Sequence, residues 1–129
     1  MPPCAPRVTR CGSVPRKAKP LAADILAFRE YWNGGRFFEA HETLEPRWIR
    51  ERDAGLQGLI QLAAAFHHLQ RGNLRGARTM LRRAMPRLRD PANKPCEFDQ
   101  QQLAEFAAAV DASLDGRGVR ELIESRPRL

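Results

Sequence analysis

The sequence predicts an all-α protein folded as an up-and-down antiparallel bundle of four to five helices. Three observations lead to this prediction. Apolar residues recur at spacings of three and four through most of the chain after residue 20, which is the period of a helix with one buried face. No segment alternates apolar and polar residues for long enough to form a strand. The helical segments are joined by short connections, which place successive helices antiparallel.

The first twenty residues have a composition unlike the rest of the chain. They contain five prolines and five basic residues but no acidic residue and almost no large apolar side chain. Such a segment does not bury enough surface to offset the entropy of ordering, so residues 1–20 are expected to form a disordered basic tail. The net charge of +7 lies mostly in this tail, because the remaining residues carry 17 of the 22 basic side chains against all 15 acidic ones.

Length and composition limit the class of protein. A chain of 129 residues, 43% of them hydrophobic, can form one domain with one core. No apolar run reaches the ~18 residues of a membrane span, and the N-terminus lacks the apolar stretch of a secretory signal. Cys4, Cys11 and Cys96 are odd in number and contain no C-x-x-C pair, so neither disulfides nor a thiolate zinc site is indicated. A cytoplasmic protein without a membrane partner is expected.

The first predicted helix begins near Leu21 and ends at Asn33-Gly34-Gly35, which tolerates a left-handed stop. The second runs from about residue 36 to residue 52. Pro46 lies inside it and cannot donate a hydrogen bond to the carbonyl of Glu42, so a bend is expected there.

The third predicted helix is capped by Asp53 and continues to about Arg71. Its large apolar residues leave only a narrow sector free, which is typical of the central helix of a bundle. The fourth helix follows Asn73, which can cap it, and ends near Arg89 with an apolar stripe on one side.

The fifth predicted helix starts after Asp99 and ends at Asp115-Gly116. The bundle domain is therefore expected to cover residues 21–116. Residues 117–129 are expected to form a short helical or irregular C-terminal extension.

The chemically unusual feature of the sequence is a histidine and a glutamate on the apolar face of the second helix. At about 100° per residue, Glu45 lies about 40° from His41. Both fall among Phe37, Leu44 and Trp48. A carboxylate buried there without a partner would cost several kcal/mol. The pattern thus predicts a buried His41/Glu45 pair.

The third predicted helix also carries polar residues within its apolar surroundings. Gln57, Gln61 and His68 fall within about 40° of one another, in the sector that the large apolar residues leave open. They are therefore expected to face the pair. The neighbouring His67 falls among apolar residues and is expected to be a core histidine.

Two interpretations of these residues stay open. The first is a metal- or small-ligand-binding site with His41, Glu45 and His68 as ligands, supported by Trp48, Gln61, Gln57 and Glu42. Imidazole with carboxylate suits a divalent transition metal such as zinc, iron, manganese or nickel. The second is a non-enzymatic structural or protein-interaction module in which the pair only fixes the packing of the bundle. Neither interpretation specifies a reaction or a substrate.

Motif spacing excludes two familiar metal centres. The sequence from His41 to Glu45 is not H-E-x-x-H, so the metalloprotease pattern fails at its second ligand. A ferritin-like di-metal centre needs matching Glu-x-x-His elements on two helices, and only one helix carries a comparable pair. A homodimer could supply the missing ligands.

Several segments together resemble a known family. They are the run Gly35–Glu45, then Trp48, Gln57–Gln61 and His67-His68. This pattern resembles the bacterial and archaeal family catalogued as domain of unknown function 309. That family is characterised by a His-x-x-x-Glu-x-x-Trp or Tyr motif. The resemblance extends over about residues 21–115. It implies a helical bundle and a motif suggested to bind metal, here formed by His41, Glu45 and Trp48.

The fourth helix carries a stripe of arginines. Four of them lie within about 60° of one another: Arg75, Arg78, Arg82 and Arg89. Such a stripe could contact phosphates. The sequence favours instead a solvated face paired with acids such as Glu97, Asp99 and Glu105, because no aromatic residues interleave with the arginines as base-stacking platforms. Nucleic acid is therefore not the expected partner, and the partner stays open.

Overall fold

The computed structural model describes residues 22–93 and 97–129. The predicted basic tail and the three cysteines lie outside these residues. Within them the chain forms seven helices and no strand, which confirms the all-α bundle. The number exceeds the expected four to five, because the second predicted helix forms two helices and the C-terminal segment forms another. None of these helices combines the length and apolar character needed to cross a membrane. In chain order the helices are α1 (Ala23–Asn33), α2 (Phe37–Thr43), α3 (Glu45–Glu51), α4 (Ala54–Gln70), α5 (Leu74–Leu88), α6 (Gln100–Ser113) and α7 (Val119–Glu124).

The three predicted side-chain caps are confirmed. Asp53, Asn73 and Asp99 each accept a hydrogen bond from the backbone N–H three residues later, at 3.2, 2.9 and 3.0 Å. Each therefore satisfies one of the free N–H groups at the start of α4, α5 or α6. The stop after α1 is also confirmed, and Gly35 has a φ of 77° there, a conformation that favours glycine.

The second predicted helix is broken into two. The regular helix is interrupted at Leu44, whose φ of −96° and ψ of −9° depart from the usual helical values, and α3 begins at Glu45. The expectation of one bent helix over residues 36–52 is therefore wrong. The reason is Pro46, which lacks the N–H that would continue α2 but is tolerated in the first turn of a new helix.

The central position of α4 is confirmed. This helix packs against α2, α3, α5 and α7, and ten of its 17 residues are buried. Its Phe66 ring lies 5.2 Å from the ring of Trp32 on α1 and 5.3 Å from that of Phe37 on α2, measured between ring centroids. These aromatic contacts join α1, α2 and α4 into one core.

The C-terminal segment, expected to be a short helical or irregular extension, contains the short helix α7 and is packed onto the bundle. Leu122 of α7 is fully buried, and it belongs to the same core cluster as the buried residues of α1, α2, α4, α5 and α6. Trp32 donates its indole N–H to the Pro127 carbonyl at 2.9 Å. Arg126 donates to the carbonyls of Trp32 and Asn33 at 3.1 and 2.9 Å. Because those carbonyls lie at the end of α1, Arg126 satisfies acceptors that the helix itself leaves free.

Candidate functional site

His41 and Glu45 are close together, but they lie at the surface. His41 is near the end of α2 and Glu45 is the first residue of α3, with Nε2 and Oε2 3.7 Å apart. Their side chains are 22% and 48% exposed. The prediction of a buried pair is therefore wrong, and no polar or charged residue of the described ranges is buried. The buried residues of this segment are Phe37, Ala40 and Leu44, and helical spacing places Glu45 about 100° around from Leu44, toward solvent.

A backbone contact orients the His41 ring. Its Nδ1 lies 2.8 Å from the carbonyl oxygen of Phe38. Since a carbonyl only accepts, Nδ1 carries a proton, and Nε2 is the nitrogen that faces Glu45. In a neutral imidazole this nitrogen has a lone pair, so two acceptors face each other across 3.7 Å. Such an arrangement favours a cation placed between the two atoms.

The separation of the two atoms is compatible with chelation. With metal–ligand bonds of 2.0–2.2 Å, two ligands of a tetrahedral zinc ion lie about 3.4 Å apart. A histidine that binds a metal usually donates its other ring N–H to a carbonyl or a carboxylate, as His41 does to Phe38. However, no group of three or more His, Cys, Asp or Glu suited to hold a metal occurs within residues 22–93 and 97–129. The described chain thus offers two ligands.

The residue that connects the pair to α4 is Phe38, which the sequence analysis missed as a site residue. Its ring is 45% exposed. It lies 5.2 Å from the ring of His41 and 5.1 Å from that of His67. The α4 histidine beside the pair is therefore His67 and not His68. The signal available in the sequence was the position of Phe38 three residues before His41, which places it one turn away on the same face.

His67 is half-buried, and so the expectation of a core histidine is only partly met. Burial lowers its pKa below the usual value, and the charges of Arg71, His68 and His41 act in the same direction. A lower pKa favours the neutral imidazole near pH 7. His67 thus packs as an aromatic neighbour of Phe38.

His68 is turned toward the connection between α4 and α5. Its Nδ1 lies 3.1 Å from Nδ2 of Asn73, while Oδ1 of Asn73 accepts from the N–H of Gly76 at 2.9 Å. Because Oδ1 is occupied, the amide NH₂ of Asn73 faces His68 and donates to Nδ1. The structure therefore does not bring the predicted third ligand to His41.

The predicted supporting residues also lie in different surroundings. Gln57 accepts a hydrogen bond from Nε of Arg87 on α5 at 2.8 Å. Gln61 has a buried Oε1 atom without a hydrogen-bond partner among the described residues. Glu42 is exposed. Trp48 is half-buried, with the Arg52 guanidinium 4.6 Å from its ring centroid. The two polar lines expected to face each other therefore do not form one connected network.

An ion pair that was not predicted holds α3 against α1. Arg47 donates to both carboxylate oxygens of Asp24, from Nε at 2.8 Å and from Nη2 at 2.7 Å. The hydrogen bond from Arg47 is the largest cause of a lowered pKa at Asp24, and the N–H of Ile25 contributes as well. Although α3 has no buried residue, this two-pronged contact and the partly buried Trp48, which packs against the core, attach it to the bundle.

These features define an all-α bundle that presents a His/Glu pair at a helix break on its surface. Residues 25–80 match the family described as Domain of unknown function (DUF309). The matched segment contains both His41 and Glu45. The resemblance inferred from the motif is confirmed.

A curated relative extends the comparison. The chain is 32% identical over 105 residues to an "Uncharacterized protein" of Aquifex aeolicus (strain VF5). The match covers 78% of this chain and 30% of the relative, so the chain spans about 30% of the length of that curated relative. No solved structure matches the chain.

Proposed function

We propose that His41 and Glu45 form a surface binding site for a divalent transition metal such as zinc, iron, manganese or nickel, or for a small cationic ligand. The observation that supports this most is the hydrogen bond from Nδ1 of His41 to the Phe38 carbonyl at 2.8 Å. It leaves Nε2 available and directs it toward the Glu45 carboxylate. A fixed imidazole beside a carboxylate is a donor set that these metals accept.

Two protein ligands do not complete the coordination shell of a metal ion. Two protein ligands leave at least two positions on a four-coordinate ion. These positions are filled by water, by a small ligand, or by the same two residues of a second copy of the chain. The exposure of both side chains, 22% and 48%, makes each of these completions sterically accessible.

The test is metal content and metal binding of untagged full-length protein. The wild type, His41→Ala, Glu45→Gln and His68→Gln are each reconstituted with Zn²⁺, desalted and measured by elemental analysis. The expected result is zinc in the wild type and in His68→Gln, at one ion per chain or one per two chains. His41→Ala and Glu45→Gln are expected to lose it. No stoichiometric metal in the wild type, or equal loss in all three variants, would contradict the proposal.

A second candidate function is a non-enzymatic interaction module that binds a second copy of the chain. It is favoured by Phe38 and Ile49, which are 45% and 58% exposed on α2 and α3. An interface often forms where exposed large apolar side chains make up a contiguous patch. In this alternative the His/Glu pair is a polar contact at the rim of a homodimer.

Sedimentation at several concentrations tests the homodimer. The wild type is expected to associate, and Ile49→Asp is expected to stay monomeric while retaining its melting temperature. His41→Ala should still associate if the contact does not need a metal. A wild type that is monomeric at all concentrations, with or without Zn²⁺, would exclude this candidate.

A further inference from the structure

We propose that the solvent-facing side of α5 binds the phosphate backbone of a nucleic-acid duplex, without reading its sequence. The binding surface is defined by Arg75, Arg83 and Arg89 and is called the α5 arginine face below. This inference is independent of the His41/Glu45 site.

The charge of this segment is unbalanced. Residues 71–89 contain seven arginines and no acidic residue. The whole length of α5 is therefore a run of positive charge, although the part of the chain after residue 20 is nearly neutral. A local field of one sign on a nearly neutral surface attracts polyanions.

Ion pairing accounts for only some of these arginines. Arg78 pairs with Asp111 at 3.3 Å and with Asp115 at 3.0 Å, and Arg82 pairs with Asp111 at 3.3 Å. The partners are thus two acids of the α6 region and not the expected Glu97, Asp99 and Glu105. Arg87 is engaged by Gln57.

The three arginines of the α5 arginine face are exposed. None of them contacts an acidic residue within the described parts of the chain. Helical periodicity places them within about 120° of the circumference, so they point into the same half of the solvent. At 1.5 Å per residue, Arg75 and Arg89 are about 21 Å apart along the axis, which exceeds the ~12 Å width of a major groove. The face is therefore long enough to reach phosphates on both sides of a groove.

The chemistry of the face favours a duplex over other polyanions. The large exposed apolar residues of the described chain are Phe38, Ile49 and Leu74, and Leu74 lies about 100° around α5 from Arg75. A membrane-surface helix would present apolar residues for insertion, and a protein interface would have an apolar centre. A single strand would need aromatic stacking platforms. A surface that presents guanidinium groups without apolar or aromatic side chains is suited to phosphates. Phosphate contacts also dominate the binding of a duplex.

The experiment measures fluorescence anisotropy of a labelled DNA duplex of arbitrary sequence, and of an RNA duplex of the same sequence, with the full chain. The test variant combines Arg75→Glu, Arg83→Glu and Arg89→Glu. A control of equal charge change combines Arg50→Glu, Arg120→Glu and Arg128→Glu, which are exposed arginines on other surfaces. Thermal melting verifies that both variants are folded. If the test variant is unfolded, the corresponding arginine-to-glutamine variant replaces it.

The expected result is duplex binding by the wild type with an affinity that falls steeply with salt. Removal of three phosphate contacts should reduce the slope of log K against log salt by about 3 and weaken binding about tenfold or more at low salt. The control variant should retain most of the slope. The proposal is overturned if the wild type binds neither duplex, if both triple variants lose the same affinity, or if the wild type binds anionic phosphatidylserine vesicles but no duplex.

Discussion

Nε2 of His41 and Oε2 of Glu45 face each other at 3.7 Å across a helix break. Two consequences follow from this relationship. The pair is accessible to solvent and therefore available for binding, and its position depends on how α3 is attached to the bundle. Because Arg47 and Asp24 join α3 to α1, the stability of variants at these two positions tests how α3 is attached.

Arg47→Ala should lower the free energy of unfolding by about 1 kcal/mol, because it removes two charge-assisted hydrogen bonds between partly exposed groups. The matched control is Arg50→Ala on the same helix, whose guanidinium donates to the Pro46 carbonyl of that helix at 3.4 Å. Urea denaturation measures both variants. Equal effects of the two substitutions would show that the Asp24 contact does not hold α3.

The same contact predicts a dependence of stability on pH. Arg47 holds the pKa of Asp24 below its usual value of 3.8 in the folded state. A carboxyl whose pKa is depressed by folding stabilises the native state above its unfolded pKa, and that stabilisation is lost as the pH falls through the folded pKa. The stability difference between wild type and Asp24→Asn should therefore be constant above about pH 5 and shrink below pH 3.8. A difference that grows on acidification would contradict this assignment.

Two glutamines of α4 should respond to substitution in opposite directions. Gln61→Leu should raise the free energy of unfolding by about 1 kcal/mol, because the buried Oε1 of Gln61 has no hydrogen-bond partner among the described residues. Gln57→Leu should lower it by a similar amount, since it removes the acceptor of Arg87. Thermal or urea unfolding measures both. A destabilised Gln61→Leu variant would indicate that Gln61 Oε1 has a partner in solution.

Local signals in the sequence predicted the fold well. The caps at Asp53, Asn73 and Asp99 involve a side chain and a backbone group three residues apart, so neighbouring residues alone determine them. The central position of α4 followed from its apolar character on nearly every side. The C-terminal contacts of Arg126 with Trp32 and Asn33 join residues more than ninety positions apart, and no local pattern specifies them.

The site was predicted less completely than the fold, because it depends on helix geometry and on packing between helices. The predicted positions of His41 and Glu45 come from a helical-wheel projection, which assumes one continuous helix. Pro46 interrupts that helix at Leu44. The buried residues of this segment are Phe37, Ala40 and Leu44, so Glu45 lies at the surface. The histidine beside Phe38 is His67, not His68. The choice between two adjacent histidines depends on the packing of α2 on α4, which the sequence does not specify. Metal binding, the cytoplasmic location and the domain boundary at residue 116 stay predictions.

The ring nitrogens of His41 test the central claim most directly. Long-range ¹H–¹⁵N NMR of the full chain at neutral pH reports which ring nitrogen of each histidine carries the proton, before and after addition of Zn²⁺. We expect the proton of His41 on Nδ1, and a zinc-induced shift at Nε2 of His41 that is absent in Glu45→Gln and absent at His68. A proton on Nε2 of neutral His41, or a wild-type His41 unaffected by zinc, would contradict the account.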